Sequence, residues 1–436
     1  MTTKNQSEIA EKYRQNPNPN AKIGFVIFYP FQFYVFKNVY KHLADEAEFI
    51  IDGGRFFPSP PPPGLLTDCE ALLMNHGVFF RVLHCQDYKQ PAYLADFFSP
   101  YKALVSLWMS GCISIAQTKK IRKVHMNYGA GKELTMFGSH CKDWDLYLCL
   151  GPRVYDIIRL YTWAETVGYP KFDDWFNNEF DDNFLTEFGK KLNPSKKIIL
   201  YLPTHGDLSA INDLTDELIK LDETYNVLVK LHYYTSYEEP ERMEKLKHSK
   251  IMLFSDETDL LPLLKITDVA VSDNSSAIFD AILADKPVVV TDFLSKHYLD
   301  VGHKRLRSFR FRFPEGALTY SQSIEQKIKK DGSVIAIKNP SEFQAAIKQA
   351  LADSQYFKDA RKKLREEIFA FSDGKCGKRA AAAIKKLVVL KELPEKPILY
   401  HIFNAEAGSF SGNYELAKIR TLPFYKRIAA VLREFF

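Results

Sequence analysis

Short apolar runs alternate with amphipathic stretches along most of the chain. Ile23 to Tyr29 carries no charge and has strand length. After a Pro-Phe-Gln-Phe turn, Val35, Val39, Tyr40 and Leu43 fall on one face at helical spacing, and Glu48 to Ile51 returns as a strand. The chain therefore opens as a βαβ unit. Further strands are expected at 78–83, 103–108, 123–126 and 146–150, with helices at 66–75, 113–118 and 153–165. Strands alternating with helices at this spacing predict a mostly parallel, doubly wound sheet. A polar, acidic and aromatic stretch, 171–195, reads as a linker. The alternation then resumes, with strands expected at 197–202, 226–231, 251–254, 269–271 and 288–290. Helices are expected at 212–223, 238–247, 259–264 and 277–283.

The pattern thus predicts an α/β protein of two doubly wound, Rossmann-like domains, 22–170 and 196–385, facing across a cleft, with a helical C-terminal tail. A length of 436 residues, beyond what one core usually holds, agrees with two domains. Residues 1–21 are expected to form a disordered lead, because Asn-Pro-Asn-Pro-Asn at 16–20 neither packs nor propagates a helix. The proline run at 58–63 reads as a rigid surface spacer. Residues 341–370 and 377–391 are helical and rich in Lys and Arg, and 386–436 continues as helices. In 414–436, apolar residues interleave with Lys418, Arg420, Lys426, Arg427 and Arg433. Such a segment either lies on an anionic membrane surface or packs back across the two domains.

Composition changes this picture little. Hydrophobic content of 46% and charged content of 26% are those of an ordinary globular protein. A net charge of +5 favours an anionic substrate or membrane surface and makes no case for nucleic acid. The six cysteines lack CxxC spacing, which suits a reducing cytosol and not a zinc ribbon. No apolar run reaches 18 residues and the first 20 lack the apolar core of a secretory signal. Neither HExxH nor GxSxG is present, nor a metal-ligand cluster, so no metal or cofactor is expected and dehydrogenase, metallohydrolase and serine hydrolase readings lack support.

The chemistry-bearing residues collect at strand ends, where doubly wound sheets bind ligands. After the 123–126 strand comes Asn127-Tyr128-Gly129-Ala130-Gly131-Lys132, whose glycines allow close backbone approach to a ligand; a plain helix-entry turn would look the same. After the 197–202 strand come Thr204 and His205, a phosphate partner or proton carrier. Lys230 and His232 end the next strand, His232 placed to stabilise charge on a leaving phosphate. Asp273 to Ser276 form a turn entering a helix, where Ser275 and Ser276 suit a diphosphate, or simply cap the helix. Asp280, one turn on from Ser276, is placed to accept from a ribose hydroxyl or hold a basic partner. Lys375 and Arg379 sit in a loop that enters another helix, as donor contacts or a solvated basic patch.

These blocks together resemble the CDP-glycerol glycerophosphotransferase family, the teichoic-acid and capsule polyol-phosphate transferases, over about residues 121–385. The similarity rests on Gly129-x-Gly131-Lys132, Gly168-Tyr169-Pro170-Lys171-Phe172-Asp173, Ile199 to Thr204, Val229 to His232, Asp268 to Asp280, and Asp373-Gly374-Lys375 with Arg379. It implies a GT-B-like enzyme that takes a polyol phosphate from a CDP-activated donor to a polysaccharide or lipid-linked acceptor on the cytoplasmic side of the cell membrane. In that frame His232, His205 and Tyr128 are the catalytic candidates; Thr204, Lys230, Ser275, Ser276, Asp280, Lys375 and Arg379 bind the donor; Gly129, Gly131 and Lys132 face the acceptor. One departure stands out. The family carries a His-Gly pair with a basic histidine where this chain has Tyr128-Gly129. Tyrosine, with an unperturbed pKa of about 10, is a poor base at neutral pH. Either another residue takes the proton, the acceptor differs, or the chain is a nucleotide-binding scaffold. A nucleotide-sugar glycosyltransferase of the same fold is the enzymatic rival.

Overall fold

In the computed structural model the described residues are 16–56, 59–131, 133–137, 139–273, 275–293, 323–397 and 400–401. Lys132 and the basic segment 414–436 lie outside them.

Two parallel sheets organise the chain. The first has seven strands in the order β3-β2-β1-β4-β5-β6-β7. They are β1 (Ile23–Ile27), β2 (Ala47–Asp52), β3 (Phe80–Leu83), β4 (Ala103–Ser106), β5 (Arg122–Met126), β6 (Leu146–Cys149) and β7 (Ala164–Thr166). The second has six in the order β10-β9-β8-β11-β12-β13. These are β8 (Ile198–Leu202), β9 (Asn226–Lys230), β10 (Met252–Phe254), β11 (Val269–Ser272), β12 (Val288–Thr291) and β13 (Ile335–Ile337). Every inter-strand pairing within these sheets is parallel. Such strands must be covered on both faces, and two apolar clusters flank each sheet. The near-continuous apolar runs of the sequence follow from this double burial.

In each sheet the strand order reverses once, between β1 and β4 and between β8 and β11. A crevice opens there beyond the carboxyl ends of the strands, which is where doubly wound sheets take their ligands. Asp273, just past β11, braces the second crevice. Its buried carboxylate accepts from the Thr204 N–H at 2.6 Å, the Ala210 N–H at 3.1 Å and the Tyr201 hydroxyl at 3.2 Å.

Several expectations need correction. Residues 16–20 are not a loose lead: Asn16 exchanges two backbone hydrogen bonds with Phe80, and buried Asn18 donates its amide to Ala44 and Ala47 carbonyls. The asparagines supply the polar partners that the prolines withhold. The helix expected to run to 165 stops at Ile158, and 164–166 is the edge strand β7. The helix expected over 238–247 is three short pieces, Tyr233–Glu238, Pro240–Met243 and Glu244–Lys247, the first ending before Pro240. Most importantly, 171–195 is no spacer. It holds helices Asp173–Asn177 and Asp182–Gly189, and Phe172 is fully buried.

The return crossing also comes earlier than expected. After helix Gln355–Ile368 the chain leaves the second domain, and helix Cys376–Val389 packs on helix Phe31–Tyr40 of the first, adding Ala380, Ile384 and Leu387 to its core. Gly377 permits this approach, since a Cβ there would collide with the Asn38 carbonyl. The carboxylate of Asp173, from the first crossing, accepts the Cys376 and Gly377 N–H groups at 2.9 and 2.6 Å. The two crossings are therefore fastened to each other.

Candidate active site

The two crevices face each other across a partly open cleft of about 140 Å³. Its first-domain wall is Phe31, Tyr34 and Tyr128; its second-domain wall carries Pro203, Lys230, His232, Tyr233, Asp256, Ser275, Ser276 and Asp280. Lys171 enters from the first crossing.

The walls are held together by direct bonds. Asp256, just past β10, accepts the Phe31 N–H at 3.2 Å at the start of helix Phe31–Tyr40. Further along that helix, the Tyr34 hydroxyl donates to the Glu257 carbonyl at 2.5 Å, and Lys37 bridges Asp174 at 2.6 Å and Asp259 at 3.1 Å. Aromatic rings fill the seam: Phe31 stacks on Tyr233 at 4.8 Å, and Trp108 meets Tyr128 edge-on at 5.1 Å. Closest of all are the glycine turn after β5 and the serine turn after β11. A Cβ on Gly129 would stand 2.7 Å from Ser276 Cβ, and one on Gly131 would stand 3.1 Å from the Phe279 ring and 3.3 Å from Ser276 Oγ.

Several expected residues converge here. Ser275 Oγ accepts from the Ala277 N–H at 3.3 Å and so serves as a local cap. Ser276 makes no side-chain capping bond, and its hydroxyl borders the cleft. Asp280 is held by Lys171 at 2.7 Å, so it keeps a basic partner, the second of its two expected roles. His232 caps helix Tyr233–Glu238: its Nδ1 accepts from the Tyr234 N–H at 3.2 Å. A neutral imidazole making that bond carries its proton on Nε2 and so acts there as a donor. His205 stacks on His232 at 4.5 Å, meets Tyr234 at a tilt at 4.8 Å, and is not among the residues that line the cleft. Thr204 is fully buried next to Asp273, its N–H bound and its hydroxyl without a hydrogen-bond partner among the described residues.

Others are not brought to this place. Lys375 is exposed and Arg379 is clasped by Asp373 at 2.7 and 2.6 Å, its guanidinium 3.9 Å from the centre of the Phe371 ring. Neither lines the cleft. Their loop is spent on the second crossing, where Asn177 donates to the Gly374 carbonyl at 3.1 Å.

Electrostatics separate the titratable groups. Burial pushes the Tyr128 phenol well above its usual range, the Trp108 hydrogen bond opposing only in part. Desolvation pulls the Lys230 ammonium down, with Asp256 opposing. Asp256 itself, 2% exposed, is pushed up to about 7 by burial, against the pull of Lys230 and the Phe31 N–H.

Residues 136–333 match the family described as CDP-glycerol:poly(glycerophosphate) glycerophosphotransferase. Over this stretch, a little under half of the chain, the sequence is similar to that family. A teichoic acid glycerol-phosphate transferase of Staphylococcus aureus is 24% identical over 231 residues, covering 50% of this chain and 53% of that protein. A teichoic acid poly(glycerol phosphate) polymerase of Bacillus spizizenii is 27% identical over 163 residues, 34% of this chain and 39% of that one. The chain thus spans about half, or less, of the length of these curated relatives. Among solved structures, the wall teichoic acid polymerase TagF superposes with a TM-score of 0.57 at 16% identity, covering 88% of this chain and 95% of that one. A UDP-GlcNAc 2-epimerase from Neisseria meningitidis superposes with a TM-score of 0.53 at 12% identity, covering 84% of this chain and 99% of that one. The likeness in fold runs well beyond the glycerophosphotransferase stretch. It includes the first domain, which supplies Phe31, Tyr34 and Tyr128 to the cleft.

Proposed function

We propose that the protein transfers a polyol phosphate from a CDP-activated donor to the hydroxyl end of a teichoic-acid-like acceptor borne on the inner face of the membrane. The observation that carries this reading is the convergence of Lys171, Lys230, His232 and Ser276 on one cleft, all within the stretch matched to the glycerophosphotransferase family. Two ammonium groups, a serine hydroxyl and an imidazole donor suit a diphosphate better than a neutral sugar. The acceptor hydroxyl would attack the phosphorus that bears the polyol; the bond to the CMP phosphate breaks and CMP leaves with the electron pair. His232 would donate to the departing phosphate oxygen as its charge grows, and the lysines would offset that charge. Most of the acceleration would come from holding the two substrates in line. The positive net charge and the basic, apolar composition of 414–436 support a membrane-borne acceptor.

Thermal melting with added nucleotides tests the donor half, because a ligand present at about 100 times its Kd stabilises the folded state by about 2.7 kcal/mol. CDP-glycerol or CDP-ribitol should raise the Tm, UDP-sugars and CMP-sugars should not, and His232→Ala should abolish CMP release. A Tm raised by a UDP-sugar alone would move the protein to the glycosyltransferases; binding without turnover by the wild type would make it a scaffold.

A further inference from the structure

We propose that Asp256 is the general base that deprotonates the acceptor hydroxyl, the task left open by Tyr128. This rests on the transferase reading above. The other groups near the cleft are committed elsewhere. Tyr128 is a half-buried phenol whose ionisation burial opposes. His232 uses Nδ1 as an acceptor and so presents a donor. His205 stacks on His232 and does not line the cleft. Asp280 is locked to Lys171 at 2.7 Å.

Asp256 differs on each count. It lines the cleft from the second domain yet reaches the first, where one carboxylate oxygen accepts the Phe31 N–H at 3.2 Å. That bond fixes the side chain at the seam between the donor wall and the aromatic first-domain wall, where an acceptor must enter. Among the described residues its other oxygen makes no hydrogen bond. The charged groups acting on it are Lys230, which favours the carboxylate, and Glu257 and Asp68, which oppose it. Around it lie the phenols of Tyr29, Tyr34, Tyr233 and Tyr237, all held neutral. With burial, the sum brings this carboxyl to about 7, where a base both exists as the anion and holds a proton well.

In the step, Asp256 takes the hydroxyl proton as the acceptor oxygen bonds to the polyol-bearing phosphorus. The bond from that phosphorus to the CMP oxygen breaks, the electron pair departs with CMP, and the proton passes from Asp256 to solvent.

The test is the pH profile of kcat for CMP release from CDP-glycerol in the presence of acceptor. The wild type should show an acid limb near pH 7. Asp256→Asn should lower kcat by about 10²–10⁴-fold, flatten the limb, and leave the CDP-glycerol-induced rise in Tm in place. Lys230→Gln should move the limb to higher pH, because the ammonium favours the carboxylate; this arm decides the matter even if Asp256→Asn does not fold. A profile flat through pH 7, a limb unmoved in Lys230→Gln, or a kcat in Asp256→Asn within about threefold of the wild type overturns the assignment. If CDP-glycerol fails to raise the wild-type Tm, the transferase reading falls first, and the base assignment falls with it.

Discussion

Replacing Gly129 with alanine puts a methyl carbon 2.7 Å from Ser276 Cβ and 2.8 Å from its hydroxyl oxygen. Carbon atoms in good contact sit about 3.5–4.0 Å apart. The two turns must therefore part by roughly 0.8 Å. Both clashing carbons are fixed to backbone, so no rotamer change relieves the overlap. A well-packed site charges about 1–3 kcal/mol for such an insertion. Here the cost should sit at the low end, because two domains meeting across a cleft can open where a core cannot. A Tm lower by about 2–4 °C is expected. Catalysis should suffer more, since a displacement of about 1 Å can cost 10²-fold and these turns set the spacing of the two walls. CMP release from CDP-glycerol should fall by about 10²-fold. Gly131→Ala is the milder comparison: its nearest neighbours are the Phe279 ring at 3.1 Å and Ser276 Oγ at 3.3 Å, contacts that need give by only a few tenths of an ångström. It should stay within about threefold of the wild type. A Gly129→Ala protein at full rate, or a Gly131→Ala protein more impaired than it, would refute the reasoning.

Lys171→Met strips buried Asp280 of its counter-charge and should destabilise at the low end of about 3–5 kcal/mol, because the pair borders an open cleft; adding Asp280→Leu should restore most of the Tm without restoring the nucleotide-induced shift. Asp173→Ala removes the acceptor of two buried backbone donors, Cys376 and Gly377, at about 1–3 kcal/mol each, and should speed proteolysis between 369 and 375 before global unfolding. Tyr128→Phe should keep CMP release within about threefold; a loss of about 10²-fold would return Tyr128 to the chemistry.

Both sheets were legible in the sequence except for their edge strands β7 and β13, because strands buried on two faces must be apolar throughout and the βα period repeats. The second-domain wall of the cleft was legible for a related reason: Lys230, His232, Ser275 and Ser276 end or follow strands that could be located. What escaped was set by contacts distant in sequence. Asp256 meets the Phe31 N–H across 225 positions, and in Ser-Asp-Glu-Thr it looks like any acidic loop residue. Phe31 and Tyr34 sit in a helix whose apolar pattern describes a core face, and nothing local marks the end that turns to the cleft. A clue to Lys171 lay in the Gly-Tyr-Pro-Lys-Phe-Asp block, but its charge became meaningful only beside Asp280. Conversely, Lys375 and Arg379 have the composition of an anion site, and a carboxylate six residues away from Arg379 occupies it instead.

The chain passes between its domains twice, and Asp173 binds one passage to the other. Two rigid bodies joined by two adjacent tethers keep essentially one freedom, rotation about the line through the tethers. The cleft can therefore gape and shut like a clamshell, but its lips cannot slide or twist past each other. A hinge of that kind would let a ligand enter and leave with Gly129 and Ser276 kept in register. Cutting either tether would free that sliding motion, so a nicked protein could stay folded in both halves and still lose its alignment.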